Sequence, residues 1–298
     1  MVNRRHAALV AALSFTGIAH AQRGAVRIVV PFGAGGIADL TARAVGDALA
    51  LRIGQPVIVD NRPGAGGVTA GELVAHAGPD GRTLLLVSNG TAVTAGLFKH
   101  LPFDALRDFA PVSLVGVFQL GVLVASNSPF KSLPDLVAAA KAKPGKLNIA
   151  TINVGSTQNL AAELLKASEH IDVQVVPFNG TPAVVAALRG GQVDAALEIV
   201  GPVKSQVDAG ALRLLGTLEK YGVSSWNGLA APAKTPATII DRMNRDVQAV
   251  LGQRDVRQKL AALDVEARGS TPQQLAELLA SETRRWGEVI ARAGIPKQ

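Results

Sequence analysis

The chain has 298 residues, room for one large domain or two ordinary ones, and 48% of them are hydrophobic. Aromatic residues make up only 4%, so the core must be built from Ala, Val, Leu and Ile; the 18% of charged residues forms no long polar tract, which argues against wholesale disorder. No cysteine is present, which excludes disulfides, iron–sulfur clusters, cysteine-held zinc and thiol nucleophiles. The formal net charge of +7 comes without a Lys/Arg cluster interleaved with aromatics, so nucleic acid is not expected as a partner.

Residues 1–21 read as a signal peptide. Arg4, Arg5 and His6 form a basic start, Ala7 to Ile18 is an apolar run too short to span a bilayer, and Ala19-His20-Ala21 offers a cleavage site after Ala21. Cleavage would remove Arg4 and Arg5, lowering the formal charge by two. The mature chain is therefore expected to be exported, soluble and periplasmic. It retains His76, His100 and His170, which are widely spaced and lack a metal-ligand pattern. No metal and no cofactor are expected.

Val26 to Pro31 reads as a buried strand, followed by the loop Phe32-Gly33-Ala34-Gly35-Gly36 and an amphipathic helix over Ile37 to Arg52. Gly54 stops that helix. A strand over Pro56 to Val59, a glycine turn over Asn61 to Gly67, a helix over Val68 to Ala77 and a strand over Thr83 to Ser88 complete a strand–helix alternation that predicts a parallel sheet. Residues 90–111 read as irregular, and Val112 to Ser126 as one or two strands. A second α/β unit follows. Its helices are expected over Leu133–Ala142, Gln158–Ala167 and Pro182–Leu188, and its strands over Lys146–Ala150, Val173–Pro177 and Val193–Leu197. Helices over Pro236–Gly252 and Asp255–Leu263, then one from Thr271 to about Ala293, need a sheet to cover, and the first unit is the nearest candidate. The expected division is residues 22–124 plus 225–298 as domain 1 and 125–224 as domain 2, with a ligand cleft at the crossings.

The loop Phe32 to Gly36 joins a strand to a helix start, where free N–H groups and the helix dipole favour a carboxylate or phosphate. Asp39, in the first helical turn, would cap N–H groups or meet a ligand ammonium or hydroxyl. A dinucleotide loop does not fit, because the run Gly33-Ala34-Gly35-Gly36 is not followed by the third glycine of GxGxxG, and no GK[ST] phosphate loop exists. A tight structural turn remains open as the plainer reading. The second glycine turn, Arg62 to Gly67, and the helix openings at Gly155-Ser156-Thr157-Gln158 and Phe178-Asn179-Gly180-Thr181 allow the same two readings. Asp194, at a strand start, reads more readily as a surface or capping residue. Catalysis finds no support, since there is no GxSxG elbow and no base paired with a nucleophile.

Several blocks together resemble the Bug family, the substrate-binding components of tripartite tricarboxylate transporters. They are Val29 to Asp39, Asp60 to Gly67, Gly78 to Leu85, Leu101 to Asp104, Asp108 to Val112, Lys143 to Leu147, Val176 to Gly180, Gly190 to Asp194 and Trp226 to Leu229. The resemblance implies an α/β fold of the periplasmic binding protein type 2 kind, with two α/β domains closing on a small carboxylate. That ligand would be a di- or tricarboxylate, an acidic amino acid or an aromatic acid. It implies ligand contacts from Phe32, Gly33, Ala34, Gly35, Gly36 and Asp39, from Ser88, Asn89 and Thr91, from Asn153, Gly155, Ser156, Thr157 and Gln158, and from Phe178, Asn179 and Gly180; Asp194 is kept with them as a further candidate contact. The partners it implies are the transporter's membrane subunits or a sensor protein, met by a monomeric receptor that is not an enzyme. A sensory or degenerate binding protein and a hydrolase or transferase on a similar fold are the alternatives. Departures from the family pattern are Asn159 in place of a histidine, Phe178-Asn179-Gly180 in place of Tyr-Lys-Gly, and a shortened segment between Leu214 and Trp226.

Overall fold

The computed structural model describes residues 24–221, 224–292 and 297; the expected signal peptide and the expected end of the last helix, at about Ala293, lie outside them. Ten strands form one continuous sheet in the order β2-β1-β3-β9-β4-β7-β5-β6, with β8 and β10 also paired to β4. The strands are β1 (Val26–Val30), β2 (Val57–Asn61), β3 (Thr83–Ser88), β4 (Phe109–Ala125), β5 (Asn148–Ile152), β6 (Gln174–Phe178), β7 (Ala195–Ile199), β8 (Leu212–Thr217), β9 (Ser224–Pro232) and β10 (Val265–Ala267). The helices are α1 (Ile37–Ile53), α2 (Val68–Ala75), α3 (Asn89–Leu97), α4 (Leu133–Ala142), α5 (Thr157–Glu169), α6 (Thr181–Arg189), α7 (Val200–Asp208), α8 (Ala237–Leu251), α9 (Arg254–Ala261) and α10 (Pro272–Arg292).

Two parallel wings, β2-β1-β3 and β7-β5-β6, flank a centre in which β9 and β4 run antiparallel to each other, β9 antiparallel to β3 of one wing and β4 to β7 of the other. The 17-residue β4 bridges the wings: Gln119 is the last residue registered with β9, at Ser224, and Leu120 is registered with Ile199 of β7. The helix α3 was not expected, because its sequence Asn-Gly-Thr-Ala-Val-Thr-Ala-Gly-Leu carries two glycines and no amphipathic stripe. Seven of its nine residues are buried, so tertiary packing overrides weak propensity there. A capping box holds its start: Ser88 Oγ accepts from the Gly90 amide at 3.1 Å, and Thr91 Oγ1 from the Ser88 amide at 3.2 Å.

The apolar strands are sorted between two faces by their two-residue period. Ile28 and Val30 of β1 join one core while Val29 joins another, and Leu84 and Leu86 of β3 part from Leu85 and Val87 in the same way. In the second wing Leu197 and Ile199 face the first core, and Ala196 faces a third. The C-terminal helices return to the first wing: α8 packs on α1 and β4, and α10 on α3 and β4. Local signals place α4. Ser132 Oγ accepts from the Asp135 amide at 3.3 Å, and Asp135 Oδ2 accepts from the Ser132 amide at 3.0 Å. Ser132→Ala is expected to cost about 1 kcal/mol in urea unfolding.

Candidate functional site

In a parallel wing every strand ends on the same side, and the helix that follows begins there. Because the two wings face each other across β4 and β9, their strand ends open onto a common cavity. Its wall includes the first residues of α1 (Ile37, Ala38), the N-cap of α3 (Ser88), the first residues of α5 (Thr157, Gln158), the start of α6 (Gly180, Thr181) and the N-cap of α7 (Ile199). Five helix N-termini thus border one cavity, each bringing partial positive charge; α1 and α6 start without a side-chain cap, whereas Ser88 and Ser156 cap α3 and α5. No Lys, Arg or His belongs to the wall. Phe32, Phe118, Ile152 and Ile199 give it an apolar component.

The glycine loop after β1 is open toward this cavity. Gly33 and Gly36 line it, and α1 has no side-chain cap at Gly36, which leaves the first-turn amides uncommitted to any side chain. Ala34 and Gly35 are exposed at the outer rim, where Gly35 lies beside Pro182 of α6. Asp39 does not line the cavity. Its Oδ2 accepts from the Gly35 amide at 3.0 Å and its Oδ1 from Arg43 Nε at 3.0 Å, so it braces the loop from behind. Burial opposes its ionisation, but the hydrogen bonds from Arg43, Gly35 and Asn61 prevail and hold its pKa below the ordinary value.

Ser88, Asn153, Thr157, Gln158 and Gly180 also line the cavity, as does Phe32. Thr91, Gly155 and Ser156 border an adjoining cavity instead. Ser156 Oγ is committed to its own helix, accepting from the Asn159 amide at 3.1 Å and donating to Ile152 O at 2.9 Å. Asn89 is buried and donates to Ser224 O at 3.1 Å, tying α3 to β9. Phe178 and Asn179 lie at an outer groove. Asp194 is a correction to the expected ligand set. It sits at the opening end of its strand, away from the cavity, where its carboxylate accepts from the Asn148 amide at 2.8 Å and its own amide donates to Asn148 O at 3.0 Å. The second glycine turn joins the wings: the Gly66 amide donates to Val154 O at 3.1 Å. Gly66 has φ +60°, and a Cβ there would lie 2.4 Å from Phe98, so both conformation and space require glycine.

Two residues not singled out from the sequence complete the site. Asn227 of β9 is registered beside Ser88 of β3, is 1% exposed, lines the cavity, and its side-chain N–H₂ has no partner. A buried donor without an acceptor is costly, and a ligand oxygen would satisfy it. Glu198 of β7, also 1% exposed, lies directly behind the wall. Its carboxylate accepts from Gln158 Nε2 at 3.3 Å, Thr181 Oγ1 at 3.1 Å and the Ile199 amide at 3.0 Å. Burial pushes its pKa up to about 7, against the opposing pull of those three hydrogen bonds. The signal for Glu198 was present in the sequence as an acid inside the apolar strand Ala-Ala-Leu-Glu-Ile. Among the described residues no group of three or more His, Asp or Glu is placed to hold a metal ion.

A family model described as the tripartite tricarboxylate transporter family receptor matches residues 41–223 and 219–295. A protein from the tcbD–tcbE intergenic region of Pseudomonas sp. strain P51 is 33% identical over 88% of this chain and 84% of its own. Among solved structures, the periplasmic binding protein BugD superposes with a TM-score of 0.86 at 26% identity, covering 93% of this chain and 100% of its own. MatC of Rhodopseudomonas palustris, solved with bound malate, gives 0.82 at 32% identity, over 89% and 98%. The fold is that of these two-domain α/β binding proteins.

Proposed function

The chain belongs to the tripartite tricarboxylate transporter receptor family, and from that premise we propose that it is an exported binding protein that captures a small organic carboxylate in the cavity between its wings without transforming it. The observation that carries this reading is the convergence of five helix N-termini and the unpartnered Asn227 amide on one cavity whose wall has no cationic side chain. Backbone dipoles are fixed in place and cost little to organise, so they suit reversible capture of an anion. The expected lobes, residues 22–124 with 225–298 and residues 125–224, would close about β4 near Gln119 and Leu120, where its partner changes from β9 to β7. Among the described residues no helix is long and apolar enough to cross a membrane; the partners of this receptor, in the same reading, are membrane subunits of a transporter or a sensor, met as a monomer.

Small organic acids screened by thermal shift are expected to raise Tm without turnover, because a ligand bound only to the folded state stabilises it. Asn227→Leu, which removes the free donor at similar volume, is expected to weaken the best acid about tenfold. Absence of any shift would favour the sensory or degenerate reading, and product formation would overturn capture alone.

A further inference from the structure

Each wing brings its own anion-attracting pole to the cavity, and the two poles differ. In the first wing the start of α1 has no side-chain cap. In the second, neither Gly180 before α6 nor Ile199 before α7 caps its helix with its own side chain. Glu198 serves both instead. Its carboxylate takes the Ile199 amide at the start of α7 and the Thr181 hydroxyl at the start of α6, and also the Gln158 amide at the start of α5. Gln158, Thr181 and Ile199 are themselves part of the cavity wall. A carboxyl group of the chain thus already holds, from behind the wall, one residue at the start of each of α5, α6 and α7.

We propose that this receptor selects acids with a single carboxylate and an uncharged, largely apolar body, and that Glu198 is the residue that excludes a second carboxylate. The inference rests on the carboxylate-capture reading above. The ligand's carboxylate lies at the open pole of α1, where the unpartnered Asn227 side-chain N–H₂ supplies an independent donor for a ligand oxygen. The body extends along Phe32, Phe118, Ile152 and Ile199 toward the second wing. A second carboxylate there would meet a wall whose hydrogen-bond donors Gln158 and Thr181 are held by Glu198 and, at a pH where Glu198 is ionised, would stand against its charge in a site of low dielectric. No cationic side chain of the wall offsets that repulsion. MatC, solved with malate, shows that the shared fold does accept a dicarboxylate, so the selection belongs to this chain's side chains and not to the architecture.

The test uses acids paired so that only the second carboxylate differs: butyrate with succinate, hexanoate with adipate, benzoate with terephthalate. Affinities of the purified protein are measured by calorimetry at pH 8. In every pair where either acid binds, the monocarboxylate is expected to bind at least tenfold more tightly, and Glu198→Gln is expected to narrow that ratio to threefold or less. A dicarboxylate bound as tightly as its partner by the unaltered protein overturns the proposal while leaving carboxylate capture intact, and so does an unchanged ratio in a folded Glu198→Gln protein. Should that variant fail to fold, the ratio in the unaltered protein still decides. Binding of no acid in any pair, nor in the wider thermal-shift screen, overturns capture and this inference together.

Discussion

Glu198→Gln is expected to flatten the pH dependence of stability by about 3 kcal/mol between pH 4.5 and pH 8. Burial raises the folded-state pKa of Glu198 from 4.5 to about 7. The folded protein therefore holds a proton that the unfolded chain has already released, and stability falls as pH rises through that window. The contribution is fully present below pH 4.5 and lost above pH 7; a shift of this size corresponds to about 3 kcal/mol. Glutamine keeps the shape and an acceptor oxygen but does not ionise. Urea unfolding of both proteins without ligand, at pH 4.5 and pH 8, gives the difference directly. Parallel stability curves for the two would show that Glu198 does not carry this proton.

Gly201→Ala is expected to weaken ligand binding a hundredfold or more, about 3 kcal/mol, by holding the lobes apart. Gly201 opens α7 in the second wing and is buried against Leu263, which belongs to the segment between α9 and β10 beside the first wing. A Cβ on Gly201 would lie 1.5 Å from the Leu263 carbonyl oxygen and 2.4 Å from its carbonyl carbon. Real Cβ atoms essentially never come within 3.0 Å of another heavy atom, and the obstacle is backbone that cannot rotate aside. The two segments must separate by roughly 1.5 Å at this point, where the lobes meet. Calorimetry with the best acid from the screen measures the loss, and small-angle scattering is expected to show a larger radius of gyration with ligand present. A Gly201→Ala protein with unchanged affinity and unchanged scattering would mean that this contact plays no part in closure.

Much of the frame was legible before any coordinates. The strand Thr83–Ser88 and the helix Leu133–Ala142 fall where the residue pattern puts them, because each is bounded by a local signal, Gly81 before the one and the Ser132 cap before the other. The antiparallel centre was not legible. The run Phe109–Ala125 is apolar throughout, and nothing local marks the point at Gln119 and Leu120 where its partner changes from β9 to β7. For the site, the glycine loop after β1 and the helix starts at Thr157 and Gly180 could be named from strand–turn–helix order. Asp39, just after that loop, and Asp194, just before β7, were named with them, yet their carboxylates serve neighbouring backbone amides.

What the sequence by itself determined was the set of strand–helix junctions, and hence where uncapped backbone amides would be found, since glycines, capping residues and hydrophobic period act within a few residues. What only the tertiary structure decided was which junctions face each other and which side chains stand among them. Asn227 and Glu198 gain their meaning from strands paired far apart in the chain: Asn227 from Ser88, and the strand of Glu198 from β4. The physical reason is that desolvation is a property of place. An amide left without an acceptor, or an acid with its pKa near 7, exists only once the two wings have excluded water from the ground between them.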